Sequence, residues 1–473
     1  MVPEPTLQFG RKIVLSKEAV ALFISVIMAD KRHKEEKLQT AKGMHDILPQ
    51  DYHYFTFLKK VVRHRFRQSG FKRISTPILE YSEVFTRPLG EQTDIVQKEM
   101  YSLEDKSGNS LTLRPENTAP VVRAYIQHGM ASLPQPVELW YWEPMFRYDR
   151  PQKGRYRQFY QLGVEIIGES DPALDAQVVH LGCSIFNDIG LRNSYSVQVN
   201  SIGCKECRPD YIQQLQHYYY GKQHSLCADC KQRLEENPLR LLDCKHEDCS
   251  ILAQMAPNFA DFICADCKEF QRNFLSYLDE LQIPYQQNNR LVRGLDYYNR
   301  TVFEWWDKSS GAQNSLGGGG RYDYLVEMMG GQPNTPAVGF AAGVERLVAN
   351  MKEVGFEPPF KDVVDVFVAQ LGPEAKKKCL PLIAALRDAG VRTVGAVGKS
   401  SMKAQMRLAD RFSVQYCLIL GEREVLDKKI ILRNMRKGVQ ETLPFAGIVA
   451  EVAKRLGNLD KMAEDEFGSN IEV

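Results

Sequence analysis

Five cations crowd a stretch of eleven residues in the segment MFRYDRPQKGRYRQF: Arg147, Arg150, Lys153, Arg155 and Arg157. Planar guanidinium forks bind phosphate oxygens two at a time, so a loop of this kind suits a polyphosphate ligand. Taken alone, the run fits a basic surface loop almost equally well. It has company. Arg114 and Glu116 lie upstream in LTLRPENTAPVVRAYI, and Gln161 and Glu165 follow in QFYQLGVEIIG. The last two are four apart in an apolar run, which puts both on one face of a strand. Polar groups there are costly to bury unless paired, so they mark a small polar pocket. Farther on, LVRGLDYYNRTVFEWW carries Arg293, Asp296, Tyr297 and Tyr298, and LGGGGRYDYL places Arg321 and Tyr322 after four glycines. That glycine run has neither P-loop nor dinucleotide-binding spacing. It suits close backbone approach to a ligand or another strand. In AVGFAAGVERL a small-residue strand runs into a helix that starts with Glu345 and Arg346.

Cysteine supplies a second chemistry. Of eleven cysteines, eight form four close pairs: Cys204-x₂-Cys207, Cys227-x₂-Cys230, Cys244-x₄-Cys249 (with His246 between) and Cys264-x₂-Cys267. Such pairs have the spacing of metal ligands and not of disulfide staples. Four thiolates make one tetrahedral zinc site, so eight suffice for two. At least one structural zinc is expected, reduced cysteines without metal being the alternative. Spacing does not say which pairs combine. Cys183, Cys379 and Cys417 sit in apolar runs and are expected in the core.

These groups need elements to hold them. GFKRISTPILEY, VELWYWEPMFRY and YSVQVNSIG have the β-branched and aromatic content of strands. Between the last two, Leu174, Val178, Leu181 and Ile185 recur at helical spacing, with Gly190 as the stop. The strands do not alternate regularly with crossover helices. An α+β domain with an antiparallel or mixed sheet is therefore predicted over 41–350, interrupted at 201–287 by a helical, Cys-rich insertion. After GFEPPFKD, the runs VVDVFVAQLG, VRTVGAVG, FSVQYCLILG and KKIILRNM alternate with helical segments, which predicts a small α/β domain over 362–457. Residues 458–473 form an acidic tail and 1–40 an N-terminal extension. The apolar run at 19–29 resembles the core of a signal peptide but is too short to span a bilayer. The clustered cysteines argue for a reducing compartment, so a cytoplasmic protein without a membrane segment is expected.

The chain has 473 residues, of which 44% are hydrophobic and 25% charged, enough to bury full cores in two to four domains. A net charge of +2 means that any nucleic-acid site must be a local patch. Lys376, Lys377, Lys378, Lys399, Lys403 and Arg407 could supply weak phosphate contacts in the C-terminal domain.

Several of these segments carry a family resemblance. MFRYDRPQKGRYRQFYQLG and VGFAAGVERL resemble motifs 2 and 3 of the class II aminoacyl-tRNA synthetases, and LVRGLDYYNRTVFE and GGRYD resemble two signatures of the histidyl-tRNA synthetase family. KGMHDILP, GEQTDIVQKEMY and LTLRPENTAP extend the likeness, as does an α/β domain in the place of an anticodon-binding domain. It covers about 41–456. The resemblance implies a histidine–tRNA ligase that activates L-histidine with ATP and Mg²⁺ and transfers it to the 3′ end of tRNA(His). It also implies a homodimer, because motif 1, around Pro77, belongs to the dimer interface in this class. Catalysis would be positioning plus fixed positive charge. No general base is needed, since the attacking carboxylate is already ionised.

By position in the motifs, Arg147 would hold the histidine carboxylate and the α-phosphate, and Arg293 would approach that phosphate from the histidine side. Arg346 would hold the nucleotide, and Arg155 would touch ATP or the tRNA acceptor end. Glu91 and Thr93, with Gln161, would take the α-ammonium, and Gln92 would belong to the same histidine site. Glu165 and Tyr298 would grip the ring nitrogens, with Tyr297 and Tyr322 lining the pocket. A carboxylate and a phenol form the unlike pair that a neutral imidazole needs. Lys42 departs from the family, which usually has arginine before Gly43. Two rival readings differ in what they leave unexplained. A regulatory paralogue that partners an ATP phosphoribosyltransferase would lack the full arginine set. A zinc-ribbon nucleic-acid binder would explain the cysteines alone.

Overall fold

The structure, a computed structural model, describes residues 38–90, 93, 95–149, 154–309, 315–359, 364–395 and 398–457. The apolar run at 19–29 and the acidic tail lie outside the described residues. The chain divides into two compact units, one built from residues up to 48 and from 62 to 350, the other from 49–61 and from 351 onward.

The first unit has strands β1 (Lys72–Arg73), β2 (Leu79–Tyr81), β3 (Tyr101–Glu104), β4 (Ser110–Leu113), β5 (Val137–Phe146) and β6 (Gln158–Ile167). It continues with β7 (Tyr195–Ser201), β8 (Tyr285–Gln287), β9 (Asn299–Asp307), β10 (Ser315–Arg321) and β11 (Ala337–Gly343). Eight of these form one sheet in the order β1-β5-β6-β11-β10-β9-β7-β8. Its interior pairs are antiparallel and only the two edge pairs are parallel, which is the mixed sheet predicted. β2, β4 and β3 make a separate small antiparallel sheet.

The helix Pro172–Asp188 covers the large sheet. It is capped by Asp171, whose carboxylate accepts from the Ala173 N–H at 2.8 Å, and it buries Val178, Leu181 and Ile185. The glycine run is β10, a central strand, which is the close approach to another strand that its composition suits. A Cβ on Gly319 would stand 2.0 Å from the Gly339 carbonyl oxygen, so only glycine permits the spacing between β10 and β11. The Cys-rich insertion leaves after β7 and returns at β8. Its main helices are Arg208–Tyr219, Ala228–Glu236, Glu247–Gln254 and Ala265–Glu280. Tyr211, Leu215, Phe259 and several cysteines pack in its interior.

The second unit carries β12 (Val366–Leu371), β13 (Thr393–Gly395), β14 (Tyr416–Gly421), β15 (Lys429–Asn434) and β16 (Gln440–Pro444), in the order β13-β12-β14-β15-β16. The first three in that order are parallel, with the helices Pro373–Asp388 and Met402–Arg411 in the connections between them. Lys376, Lys377, Lys378, Lys399, Lys403 and Arg407 are all exposed. Cys183, Cys379 and Cys417 are buried, as expected.

Two arginines of the motif-bearing segments are spent on the fold. Arg114 is fully buried and donates to the carbonyls of Thr76 (2.7 Å) and Pro144 (2.9 Å) and to Glu143 (3.0 Å). Arg321, at the end of β10, is fully buried against Asp175 of the covering helix, with Nε 3.1 Å from Oδ2, and also pairs with Asp323. Breaking a buried pair from one side leaves an uncompensated charge. We therefore expect R321M to lower stability by about 3–5 kcal/mol, read by urea unfolding. R321M/D175L should recover most of the loss. A neutral R321M would mean that Asp175 is satisfied without it.

Candidate active site

A cavity of about 240 Å³ opens at the ends of β5, β6, β9, β10 and β11. Four arginines reach its wall: Arg147, Arg155, Arg293 and Arg346. Arg147 follows directly on β5. Its Nε donates to the Pro115 carbonyl at 2.8 Å, and its guanidinium lies over the Phe159 ring at 5.6 Å. Arg155 stands on the far side of the β5–β6 turn and pairs with Asp149 at 3.0 Å. Arg150 and Lys153 fall outside the described residues. Arg346 projects from the first turn of the helix Val344–Glu353 and donates to the carbonyls of Gly154 (3.1 Å) and Ser315 (2.5 Å). Arg293 donates to Glu304 of β9 and lies over the Tyr298 ring at 5.5 Å, while its Nε is buried without a partner. Gly318 makes room for that pair, since a Cβ there would stand 2.7 Å from Arg293 Nη1.

The charges act on one another. Burial pushes the Arg346 guanidinium down to about 10, and the neighbouring Arg155 and Arg147 push the same way. Burial is the largest single influence on Arg293 and lowers it, but Glu304, Tyr298 and Tyr297 together outweigh burial and the net shift is upward. A half-buried cavity with this much positive charge is built to receive an anion.

The other end of the cavity is aromatic. Tyr297 and Tyr298 line it, with ring centroids 4.7 Å apart, and Tyr322 stands 5.7 Å from Tyr297. Behind this wall lies Glu165 of β6, which is 1% exposed. Its Oε1 accepts from Thr118 (2.8 Å) and Tyr141 (3.2 Å), and its Oε2 accepts from Tyr322. Burial raises its carboxyl to about 8 even though all three hydroxyls favour the charged form. Glu116 is also raised by burial, and it accepts from the N–H groups of Thr118 (2.8 Å) and Ala119 (2.9 Å). Gln161, two residues along the same face from Gly163, lines the cavity with its Oε1 unpartnered.

The predicted residues divide accordingly. Arg147, Arg155, Gln161, Arg293, Tyr297, Tyr298 and Arg346 share the cavity wall, and Glu165 and Tyr322 form a layer behind it. Thr93 is buried with its hydroxyl on the Gly90 carbonyl (3.0 Å) and is not on the wall. Glu91 and Gln92 lie outside the described residues. Asp296 accepts from Asn237 of the insertion at 2.8 Å and does not line the cavity. Sequence reasoning missed Glu304 and Tyr141. Glu304 carried the signal that exposed Glu165, a lone carboxylate in an apolar strand. Tyr141, in an aromatic strand, carried none.

A wider cavity of about 870 Å³ shares Arg147, Arg155, Glu304 and Arg346 and continues along the insertion past Arg233, Arg240 and Lys245. Among the described residues, the cysteines gather into two sets that could hold metal, Cys204/Cys207/Cys264/Cys267 and Cys227/Cys230/Cys244/Cys249. His246 is exposed and belongs to neither.

Residues 43–347 match the family model described as histidyl-tRNA synthetase, and residues 365–455 match the anticodon binding domain. The chain belongs to the histidyl-tRNA synthetase family. A histidine–tRNA ligase of Dehalococcoides mccartyi is 46% identical over 418 residues, 88% of this chain and 100% of the relative. One from Syntrophotalea carbinolica is also 46% identical, over 88% and 99% of the two chains. The crystal structure of apo S. aureus histidyl-tRNA synthetase superposes with a TM-score of 0.74 at 34% identity, covering 88% and 99%.

One property of this family member follows from Glu165. Its folded carboxyl keeps a proton that the unfolded chain releases, so folding takes up protons between the ordinary value of 4.5 and about 8. The sign is fixed: stability is greatest below that window and falls as pH rises through it. E165Q should flatten this decline, by on the order of a few kcal/mol at the alkaline end, in urea midpoints measured against pH. An unchanged slope would show that the folded carboxyl is ionised throughout.

Proposed function

We propose that this chain is a histidine–tRNA ligase, converting L-histidine and ATP to histidyl-adenylate and pyrophosphate and then esterifying the 3′ end of tRNA(His) with release of AMP. The observation that carries this reading is the convergence of four arginines on a cavity whose other end holds a buried carboxyl among tyrosines. Histidine has a charged end that must meet ATP and a ring that needs one donor and one acceptor.

In this reading Arg147 and Arg293 hold the histidine carboxylate against the α-phosphate, and Arg346 holds the nucleotide. Arg155 contacts ATP or the acceptor end. Positive charge fixed before the reaction meets the charge that develops on the phosphate, without reorganisation cost. Gln161, whose Oε1 is unpartnered, takes the α-ammonium together with Glu91, and Gln92 belongs to the same histidine site. Glu165 and Tyr298 take the ring nitrogens, with Tyr297 and Tyr322 around them. A pocket that hydrogen-bonds its substrate can reject analogues lacking those groups by about 10⁴–10⁵. Mg²⁺ keeps most of its waters and takes one or two carboxylates besides phosphates. Glu304 and Glu345 face the cavity and fit that demand, and the ion would neutralise phosphate charge there.

The protein works as a cytoplasmic homodimer in this proposal. Ile78, Leu79, Tyr81 and Leu103, on and beside the small sheet near Pro77, are exposed, which suits a surface covered by a second copy. No described helix is long and apolar enough to cross a membrane, and all eleven cysteines are free. Structural zinc holds the Cys-rich insertion, four thiolates to an ion.

ATP–pyrophosphate exchange with each amino acid in turn should respond to histidine alone. Silence with histidine from folded, dimeric protein would favour the regulatory paralogue. R293A should lose exchange by about 10²–10³-fold with circular dichroism unchanged, and normal adenylate formation would remove Arg293 from its role. Light scattering should give twice the chain mass; an active monomer would refute the dimer.

A further inference from the structure

The four cysteine pairs could combine in three ways, and the fold selects one. The outer pairs meet at the root of the insertion, with Cys204 Sγ 3.7 Å from Cys207 Sγ and 3.9 Å from Cys264 Sγ, and Cys207 Sγ 3.9 Å from Cys267 Sγ. The inner pairs meet toward its tip, where Cys227 Sγ lies 3.9 Å from Cys244 Sγ. Within each set all four sulfurs lie within 4.8 Å of one another. A zinc ion with Zn–S bonds of about 2.3 Å imposes tetrahedral S···S edges of about 3.8 Å. A disulfide would need about 2.05 Å. The sets therefore have the size of a tetrathiolate cage.

Backbone groups point at the sulfurs. The Cys204 N–H donates to Cys207 Sγ at 3.2 Å, and the Cys227 N–H donates to Cys249 Sγ at 3.2 Å. Cys207, Cys227 and Cys264 each cap the N-terminus of a helix of nine residues or more, where the backbone presents positive charge. Neither set borrows a ligand from the other.

Resting on the reading of these cysteines as structural zinc ligands, we propose that the chain holds two zinc ions, a root ion on Cys204, Cys207, Cys264 and Cys267 and a tip ion on Cys227, Cys230, Cys244 and Cys249, with separate mechanical tasks. The root ion closes both stems of the insertion onto the catalytic sheet. Arg208, next to Cys207, donates to the Tyr298 carbonyl at 2.5 Å, and the Arg300 N–H donates to the Gly203 carbonyl at 2.8 Å. The root thus fixes the backbone of a residue on the cavity wall. The tip ion shapes the wider cavity, where Cys227 and Cys244 stand beside Arg233, Arg240 and Lys245. Between Cys230 and Cys244, Asn237 donates to Asp296 and ties the tip to the loop that carries Arg293.

The test is metal content by mass spectrometry of full-length protein produced in zinc-replete medium. Two zinc ions per chain are expected for the parent, and one each for C207S/C267S and C230S/C249S, with fold followed by circular dichroism. No zinc in the parent removes the zinc reading itself. One ion removes the second centre but leaves that reading standing. Loss of both ions from a folded C230S/C249S variant, or of neither, overturns the pairing. Should a variant fail to fold, titration of the native parent with a mercurial decides the count. Release of two zinc ions over eight thiols is the expected result, and release of one over four overturns it.

Discussion

A carboxyl group buried in the middle of a sheet is the constraint around which the catalytic unit is arranged. Glu165 sits on β6, almost wholly out of water, and burying it without partners would cost several kcal/mol. Three hydroxyls arrive from three separate segments to receive it: Thr118 from a helix start, Tyr141 from β5 and Tyr322 from just beyond β10. The neighbouring strand makes way. On Gly339, the register partner of Glu165 in β11, a Cβ would stand 2.0 Å from Glu165 Oε2. Strand spacing, the glycines and the tyrosine cluster are thus one solution to one electrostatic problem.

The opposite end of the cavity solves the complementary problem. Four guanidinium groups share one wall, and like charges at this range repel. Each is therefore restrained by a fixed acceptor: a carbonyl for Arg147 and Arg346, a carboxylate for Arg155 and Arg293. The residual tension is visible in Arg346, where burial first and the neighbouring Arg155 and Arg147 second make the group give up its proton more readily than an ordinary arginine. An anionic ligand relieves that tension, so the fold stores part of the binding free energy in advance. This is preorganisation in the electrostatic sense.

The insertion obeys a different economy. Two of its helices, Ala228–Glu236 and Glu247–Gln254, are short, and much of their surface is polar. Cysteine clusters are buried beside its apolar side chains. Its apolar interior is continuous with the core of the catalytic unit, and Arg208, Asn237 and Arg300 add hydrogen bonds to the sheet and its loops. Its geometry therefore bears on the active site both through shared packing around Tyr297 and Tyr298 and through those hydrogen bonds.

Residue type and spacing alone marked many of the elements and much of the chemistry. Helical periodicity marked the helix at 172–188, aromatic and β-branched runs marked β5, β6 and β7, and clustered cations and tyrosines marked the wall of the cavity. These are local signals, set by residue type at fixed spacing. Tertiary structure alone decided what depends on contacts between distant segments. It turned the glycine run into a central strand, because the demand for close spacing comes from β11, not from neighbours in the chain. It sent Arg114 and Arg321 into the fold while their neighbours Glu116 and Tyr322 turned toward Glu165 and the cavity. It brought in Tyr141 and Glu304, and it chose among cysteine pairings that spacing leaves equivalent. Residue type fixes which interactions a side chain can make, but only the packed chain fixes which partner is there to be met.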